Sequence, residues 1–250
     1  PEILHRRAVQ EYLATLDEAA FGGSTPVEPK FLSPVDPAAR WTRTYKDGAA
    51  KYSYSVNYLI DCKHAVIMDV EGTTAVRTAE VHSTRVMLDR VEARNHIKPD
   101  RLSGDTAYGS AEMLNWLVNE RGIEPHIPVF DKSFRKDGIF ERSDFIFDAE
   151  DDRYVCPAGR SLRRYRVAGR AAKAKPPRDG LYRYRARKTD CDDCPLKHRC
   201  CPKEPMRKIL RSVHEEARDV ARRIMASEAY VTSRRERKKV EMLFAHLKRI

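Results

Sequence analysis

Halfway through the first hundred residues the hydrophobic period settles into that of a strand, and the elements after it leave few folds open. In Lys51–Asp61 (KYSYSVNYLID) the apolar side chains Tyr52, Tyr54, Val56, Tyr58 and Ile60 fall on alternate positions, which is the repeat of a strand with one apolar face. Ala65 to Val70 is a compact apolar run, and Asp61-Cys62-Lys63-His64 between the two runs makes them a hairpin. Arg40 to Tyr45 adds a third strand before it. From Thr78 to His96 the spacing changes to three and four, through Val81, Thr84, Leu88 and Val91, and Pro99 ends this helix. Arg101 to Gly109 (RLSGDTAYG) is a short strand breaking into a turn. Next comes a helix from Ser110 to Arg121, packing through Leu114, Leu117 and Val118, with Gly122 as its stop. Ile123 to Val129 is a further strand. Strand, strand, helix, strand, helix, strand describes an α/β domain. Asp105 then stands at a strand's carboxyl end, where reacting groups collect in such sheets.

Either side of this core the rhythm differs. Residues 3–20 have a helical period, and Gly22-Gly23-Ser24-Thr25-Pro26 opens a proline-spaced linker running to Pro37. Residues 131–211 hold short aromatic strands (Phe145 to Phe147, Tyr182 to Tyr184), a basic stretch from Arg163 to Lys175, and five of the six cysteines. They form an insertion with its own small fold. Ser212-Val213-His214-Glu215 is a capping-box signature opening a helix, and a break near Ser227 to Ser233 leads to a last amphipathic helix, RRERKKVEMLFAHLKRI. The expected divisions are 1–34 (helix and linker), 35–130 (first part of the core), 131–211 (insertion) and 212–250 (closing helices).

The terminal helix places Arg237, Glu241 and Lys248, spaced by four and seven, on one stripe beside the apolar face of Val240, Leu243, Phe244 and Leu247. On spacing alone, a solvated helix with i, i+4 ion pairs is the better account of this pattern. The functional alternative pairs Glu241 with Asp105. Carboxylates from separate elements can hold hard divalent cations, and two such ions about 3.5–4 Å apart clamp the attacking and leaving oxygens of a phosphoryl displacement. The formal net charge of +11 favours a polyanionic partner. Nothing approaches eighteen consecutive apolar residues and no apolar leader core opens the chain, so a cytoplasmic protein without membrane contact is expected.

These motifs together resemble the DDE transposases of bacterial insertion sequences, and more specifically a subgroup with a cysteine-bearing insertion between the second and third acids. FLSPVDPAARWT, the hairpin, DTAYGS, the C-P-x-G and C-x2-C segments and SRRERKKVEMLFAHLKR carry the resemblance, over most of residues 31–250. It implies an RNase H-like core, a mixed sheet with flanking helices interrupted by the insertion. It also implies Mg²⁺ or Mn²⁺, homo-oligomers, and the cutting and joining of transposon ends to target DNA. Asp105 would be the second acid and Glu241 the third; Arg237 and Lys248, with Arg234 and Lys238 beside them, would reach DNA phosphates. The related signature has Tyr where this chain has Arg234. No D-G-T or D-A-S motif precedes Tyr52. Asp36 is the nearest candidate for the first acid, but its setting in SPVDP reads as a turn rather than a strand, and the reading expects the first acid upstream of Pro1.

Cys156, Cys191 and Cys194, with Cys200 or Cys201, offer four thiolates for a structural Zn²⁺ in a segment poor in aliphatic side chains. Reduced cysteines packing as small hydrophobes account for them as well. Two further readings stay open: a zinc-ribbon nucleic-acid-binding module without catalysis, and an inactive transposase remnant.

Overall fold

The computed structural model describes residues 31–43, 48–130, 138–165, 177 and 180–247. The expected helix at 3–20, most of the basic stretch 163–175 and Lys248 lie outside the described residues. The chain forms two compact units, one of Pro1–Val129 with Val220–Ile250 and the other of Phe130–Asp219.

In the first unit, β1 (Arg40–Thr42), β2 (Lys51–Asp61) and β3 (Val66–Thr74) make an antiparallel sheet in the order β1-β2-β3. The hairpin register pairs Tyr54 with Thr74 and Tyr58 with Val70, with an irregularity at Leu59/Ile60. Helix α1 (Arg77–Asn95) buries Met87, Leu88 and Val91 and packs on β2 and β3. It takes the polar side of the hairpin. Ser55 Oγ donates to Glu80 Oε1 at 2.8 Å, and Arg90 pairs with Asp69 at 2.7 Å and Glu71 at 2.6 Å. The alternating apolar side, the clearest signal in the sequence, is left half open: Tyr54, Val56 and Tyr58 are 45%, 56% and 43% exposed.

The second layer of this unit is a parallel pair, β4 (Arg101–Ser103) with β5 (Glu124–His126), in which Arg101 faces Glu124 and Ser103 faces His126. Between them Ser110 Oγ caps α2 (Ala111–Asn115) by accepting the Met113 N–H at 3.2 Å. The helix widens into a π turn over Trp116–Arg121 and stops at Gly122, whose φ of 61° is the left-handed conformation glycine adopts freely. Met113, Leu114, Leu117, Ile123 and Ile127 are buried around the pair. The architecture is thus mixed α/β, consistent with an RNase H-like domain, with its strands in two separate sheets.

The second unit is built on a five-stranded antiparallel sheet in the order β10-β9-β8-β7-β6, comprising β6 (Ile146–Asp148), β7 (Arg153–Val155), β8 (Ser161–Arg164), β9 (Leu181–Arg185) and β10 (Lys208–Ser212). Phe147, Tyr154 and Tyr184 pack ring to ring at 5.0, 5.9 and 5.1 Å between centroids, two of the contacts edge-on, as aromatic quadrupoles prefer. Leu162, Ile209, Cys191, Cys200 and Cys201 complete the core. The short helices α3 (Lys188–Asp192) and α4 (Lys197–Cys200) carry two of these thiols, Cys191 and Cys200.

The capping box of the next helix forms by half. The Glu215 carboxylate accepts the Ser212 N–H at 3.2 Å, while Ser212 Oγ accepts from His214 N rather than from Glu215 N. Helix α5 (Glu215–Met225) comes next, then α6 (Glu228–Leu247), which packs against β4 and β5.

Candidate active site

Asp105 stands just past β4, after Gly104, and caps the 3-10 turn Thr106–Tyr108, its carboxylate accepting the Ala107 N–H at 2.7 Å. The acceptor stabilises a turn end whose N–H groups have no partner within the turn. The remainder of the carboxylate is open to solvent. Beneath it, a Cβ added at Gly104 would stand 3.2 Å from the Tyr108 ring, so a larger residue there requires that ring to shift. Burial pushes the Tyr108 phenol up, and the nearby charges of Glu80 and Asp105 push it further.

Asp36 does lie in a turn. Its backbone N–H donates to Ser33 Oγ at 3.1 Å, its Oδ1 accepts the Ala38 N–H at 3.2 Å, and its Oδ2 accepts the Tyr54 hydroxyl at 2.7 Å. The tyrosine ties this turn to β2, so Asp36 is held against the sheet from outside the strand. Sequence reasoning missed Tyr54 in this role, although its place on the alternating face marked it as a side chain projecting from the hairpin.

Helix α6 presents Ser233 and Val240 inward and Arg234, Lys238 and Glu241 to solvent. Arg237 Nε pairs with Glu241 Oε1 at 3.0 Å, an i, i+4 contact with the carboxylate 60% exposed; such a pair contributes about 0.3–0.5 kcal/mol. The side chains of Leu243, Phe244 and Leu247 lie outside the described residues. Two contacts set the direction of the helix. The Tyr230 ring approaches His126 at the carboxyl end of β5, 6.4 Å between centroids, and Glu236 pairs with Arg101 at the amino end of β4, 3.0 Å. The helix therefore runs opposite to the strands. At a rise of 1.5 Å per residue, Glu241 lies roughly 7.5 Å beyond the level of Glu236, on the side away from Asp105. No hydrogen bond or ion pair joins Asp36, Asp105 and Glu241 to one another, and among the described residues no three His, Cys, Asp or Glu side chains are gathered to hold a metal ion. The carboxylates have the oxygen donors a hard divalent cation takes, but in this arrangement their placement does not fit one.

The thiols are a separate matter. Cys156, Cys191, Cys194, Cys200 and Cys201 all line one cavity of about 20 Å³, with Arg160, Lys197 and Arg207 at its edge. All are free. The Cys156-Pro157-Ala158-Gly159 turn points the Arg160 N–H at Cys156 Sγ, 3.3 Å away. Burial, with the neighbouring Cys201 thiol, pushes the Cys200 thiol up to about 12. Cys191, Cys200 and Cys201 are buried in the core of this unit, and Cys156 packs against it.

A sequence model of the transposase DDE domain matches residues 24–250. Comparison with curated proteins and with solved structures finds no match. Among the described residues no helix is long and apolar enough to cross a membrane. The family match spans the hairpin, the DTAYGS turn, the cysteine-bearing segment and the terminal charged helix together, and with the mixed α/β architecture it settles the kinship: the chain belongs to the transposase DDE domain family.

Proposed function

We propose that this domain cleaves DNA strands at transposon ends and joins them to target DNA, with Asp36, Asp105 and Glu241 as its acidic residues. The observation that supports this reading best is the family match over residues 24–250, which includes all three acids. Transposases of this family use divalent metal ions, and Mg²⁺ or Mn²⁺ would draw its oxygen ligands from these carboxylates, lowering the charge repulsion between an attacking oxygen and the phosphodiester. Asp105 already has an exposed oxygen at a strand end, and Tyr54 and the Ser33–Ala38 turn orient Asp36. Because α6 carries Glu241 away from Asp105 here, the proposal requires that helix to move along β4 and β5 when DNA is engaged, which breaks the Arg101–Glu236 pair. That pair is partly exposed and worth about 1 kcal/mol or less, and the movement also unseats Ser233 and Val240, which the helix buries.

Arg234, Arg237, Lys238 and Lys248 are the proposed phosphate contacts, since clustered cations on one helix release counterions from a nucleic-acid backbone. Homo-oligomers on paired ends, and a structural Zn²⁺ among the five cysteines, belong to the same proposal; metal analysis of the purified protein tests the zinc. The deciding experiment attaches spin labels beside the two acids, at Thr106 and Met242, and measures their separation with and without transposon-end DNA and Ca²⁺. A distance that shortens by roughly 15 Å or more on DNA binding, most of the roughly 20 Å set by the helix rise past Glu236 and the extended residues from Arg101 to Asp105, supports the reading, and one that stays unchanged overturns it. A second reading, nucleic-acid binding without catalysis, is favoured by the scattered acids of this arrangement; DNA binding with no metal-dependent nicking would establish it.

A further inference from the structure

We infer that the outer face of the five-stranded sheet in the second unit is a docking surface for a nucleic-acid phosphate backbone. The inference rests on the reading that the domain acts on DNA, and it adds a surface that neither the acids nor the terminal helix supplies.

The observation is the strand register. Arg153 stands opposite Arg163, Arg163 opposite Arg185, and Arg185 opposite Lys208. Residues paired across strands point to the same face, so four cations form one file across β7, β8, β9 and β10. Their sequence neighbours Tyr154, Leu162, Tyr184 and Ile209 are the buried core, which fixes the file on the side away from it. At about 4.8 Å between strands the file is roughly 14 Å long. At about 3.4 Å per nucleotide along one strand of a duplex, that matches about four phosphates.

Like charges directly opposite one another destabilise a sheet, and only the ends of this file are relieved. Arg153 pairs with Asp148 and Asp151 at 3.0 Å, and Lys208 with Glu204 at 3.2 Å. Among the described residues, no carboxylate pairs with Arg163 or Arg185 in the middle. Arg185 instead has its Cζ over the exposed Tyr165 ring, 3.4 Å from its centroid, a cation–π contact that holds its guanidinium in place. Elsewhere in the unit the same residue types are internally matched, with Arg164 beside Asp152 and Arg211 beside Asp219. The middle of the file, Arg163 and Arg185, is the part whose charge has no carboxylate partner among the described residues. Cations that meet phosphates hold the backbone and carry no base sequence.

The test is fluorescence anisotropy of the chain with a labelled duplex of arbitrary sequence, about three helical turns long, at salt concentrations from about 50 to 200 mM KCl. Each phosphate that the protein no longer neutralises reduces the steepness of log K against log salt by about 0.9. Arg163→Gln with Arg185→Gln should therefore reduce it by about 1.8, so that over this fourfold rise in salt the parent loses roughly 12-fold more affinity than the variant. Arg163→Lys with Arg185→Lys, which keeps the charge, should hold the parental slope. The single Arg163→Gln and Arg185→Gln variants should each reduce it by about half as much, so the result does not depend on the double variant folding. An unchanged slope in the glutamine variants, with the parent binding, overturns the inference and leaves the transposase reading intact. A parent that binds no DNA overturns both. Binding that disappears equally in the lysine variants would mean a shape effect and would also overturn it.

Discussion

Glu215 is the most deeply committed charge in the second unit, and removing it should open that unit selectively. Its side chain is 1% exposed and accepts Arg142 Nη1 at 2.6 Å and Arg218 Nη1 at 3.0 Å, as well as the Ser212 N–H. Burial lowers the affinity of the Arg142 guanidinium for its proton, but Glu215 and Tyr154 more than offset this and hold it above its ordinary value. The Nε atoms of both arginines are buried without hydrogen bonds, so these guanidiniums already depend on the contacts their outer nitrogens make. Breaking a buried pair by deleting one member costs about 3–5 kcal/mol, because the surviving charge stays buried and unmatched. Glu215→Ala should therefore destabilise the unit by about that much. Glu204→Ala, which removes an exposed partner of Lys208 in the same unit, should cost under about 0.5 kcal/mol. Both tryptophans, Trp41 and Trp116, belong to the first unit, so their fluorescence does not report on this loss. Hydrogen exchange read by mass spectrometry on peptides spanning Arg142–Val155 and Lys208–Asp219 does. Protection in Glu215→Ala within about 1 kcal/mol of the parent, well short of the cost of a broken buried pair, or equal to that in Glu204→Ala, would refute the reasoning.

The first unit should lose stability as the pH falls below about 6.5, the ordinary histidine value. Burial lowers the proton affinity of both His82 and His126, so below that value the unfolded chain takes up protons that the folded chain refuses, and the loss continues down to the folded value. Urea midpoints read by tryptophan fluorescence should drop between about pH 7 and 5.5, and His126→Asn should flatten that drop; a pH-independent midpoint contradicts it. In metal-stripped protein at about pH 8, just under the ordinary cysteine value, Cys200 should be the slowest thiol to react with a small disulfide reagent, because burial holds its thiol near 12; mass mapping that finds it modified before Cys156 would be the contrary result. Gly104→Ala should destabilise by about 1–3 kcal/mol through crowding of the Tyr108 ring, and a neutral effect in urea melts would show that the ring yields.

The elements legible in the sequence were those with a strong local period. The hairpin of β2 and β3, α1, and the strand–turn–helix around Asp105 all arise from spacing and from Gly122 and Ser110 as punctuation. The partners each element packs against were much less visible. The alternating Tyr52–Ile60 face promised a buried side, yet α1 docks on the opposite face, where Arg90 and Glu80 find their partners. Arg101 with Glu236 and Arg142 with Glu215 join residues far apart in the chain, and no local pattern announces such pairs. The same limit applied to the acids: the family resemblance named Asp105 and Glu241, with Asp36 as the nearest candidate for the first acid, but the direction of α6 relative to β4 is a tertiary fact. The arginine file of the second unit was hidden for the same reason, since it exists only once four strands are in register.

Whether the named acids carry out chemistry on DNA is measured most directly by incubating the protein with supercoiled plasmid bearing the transposon ends, with Mg²⁺ or with EDTA. The prediction is nicking that needs Mg²⁺ and falls at least about 100-fold in Asp105→Asn and in Glu241→Gln, as expected when a ligand to a catalytic metal is removed, while both variants still bind the plasmid. Nicking that survives in either variant, or a parent that binds the ends and never cuts them, would contradict it.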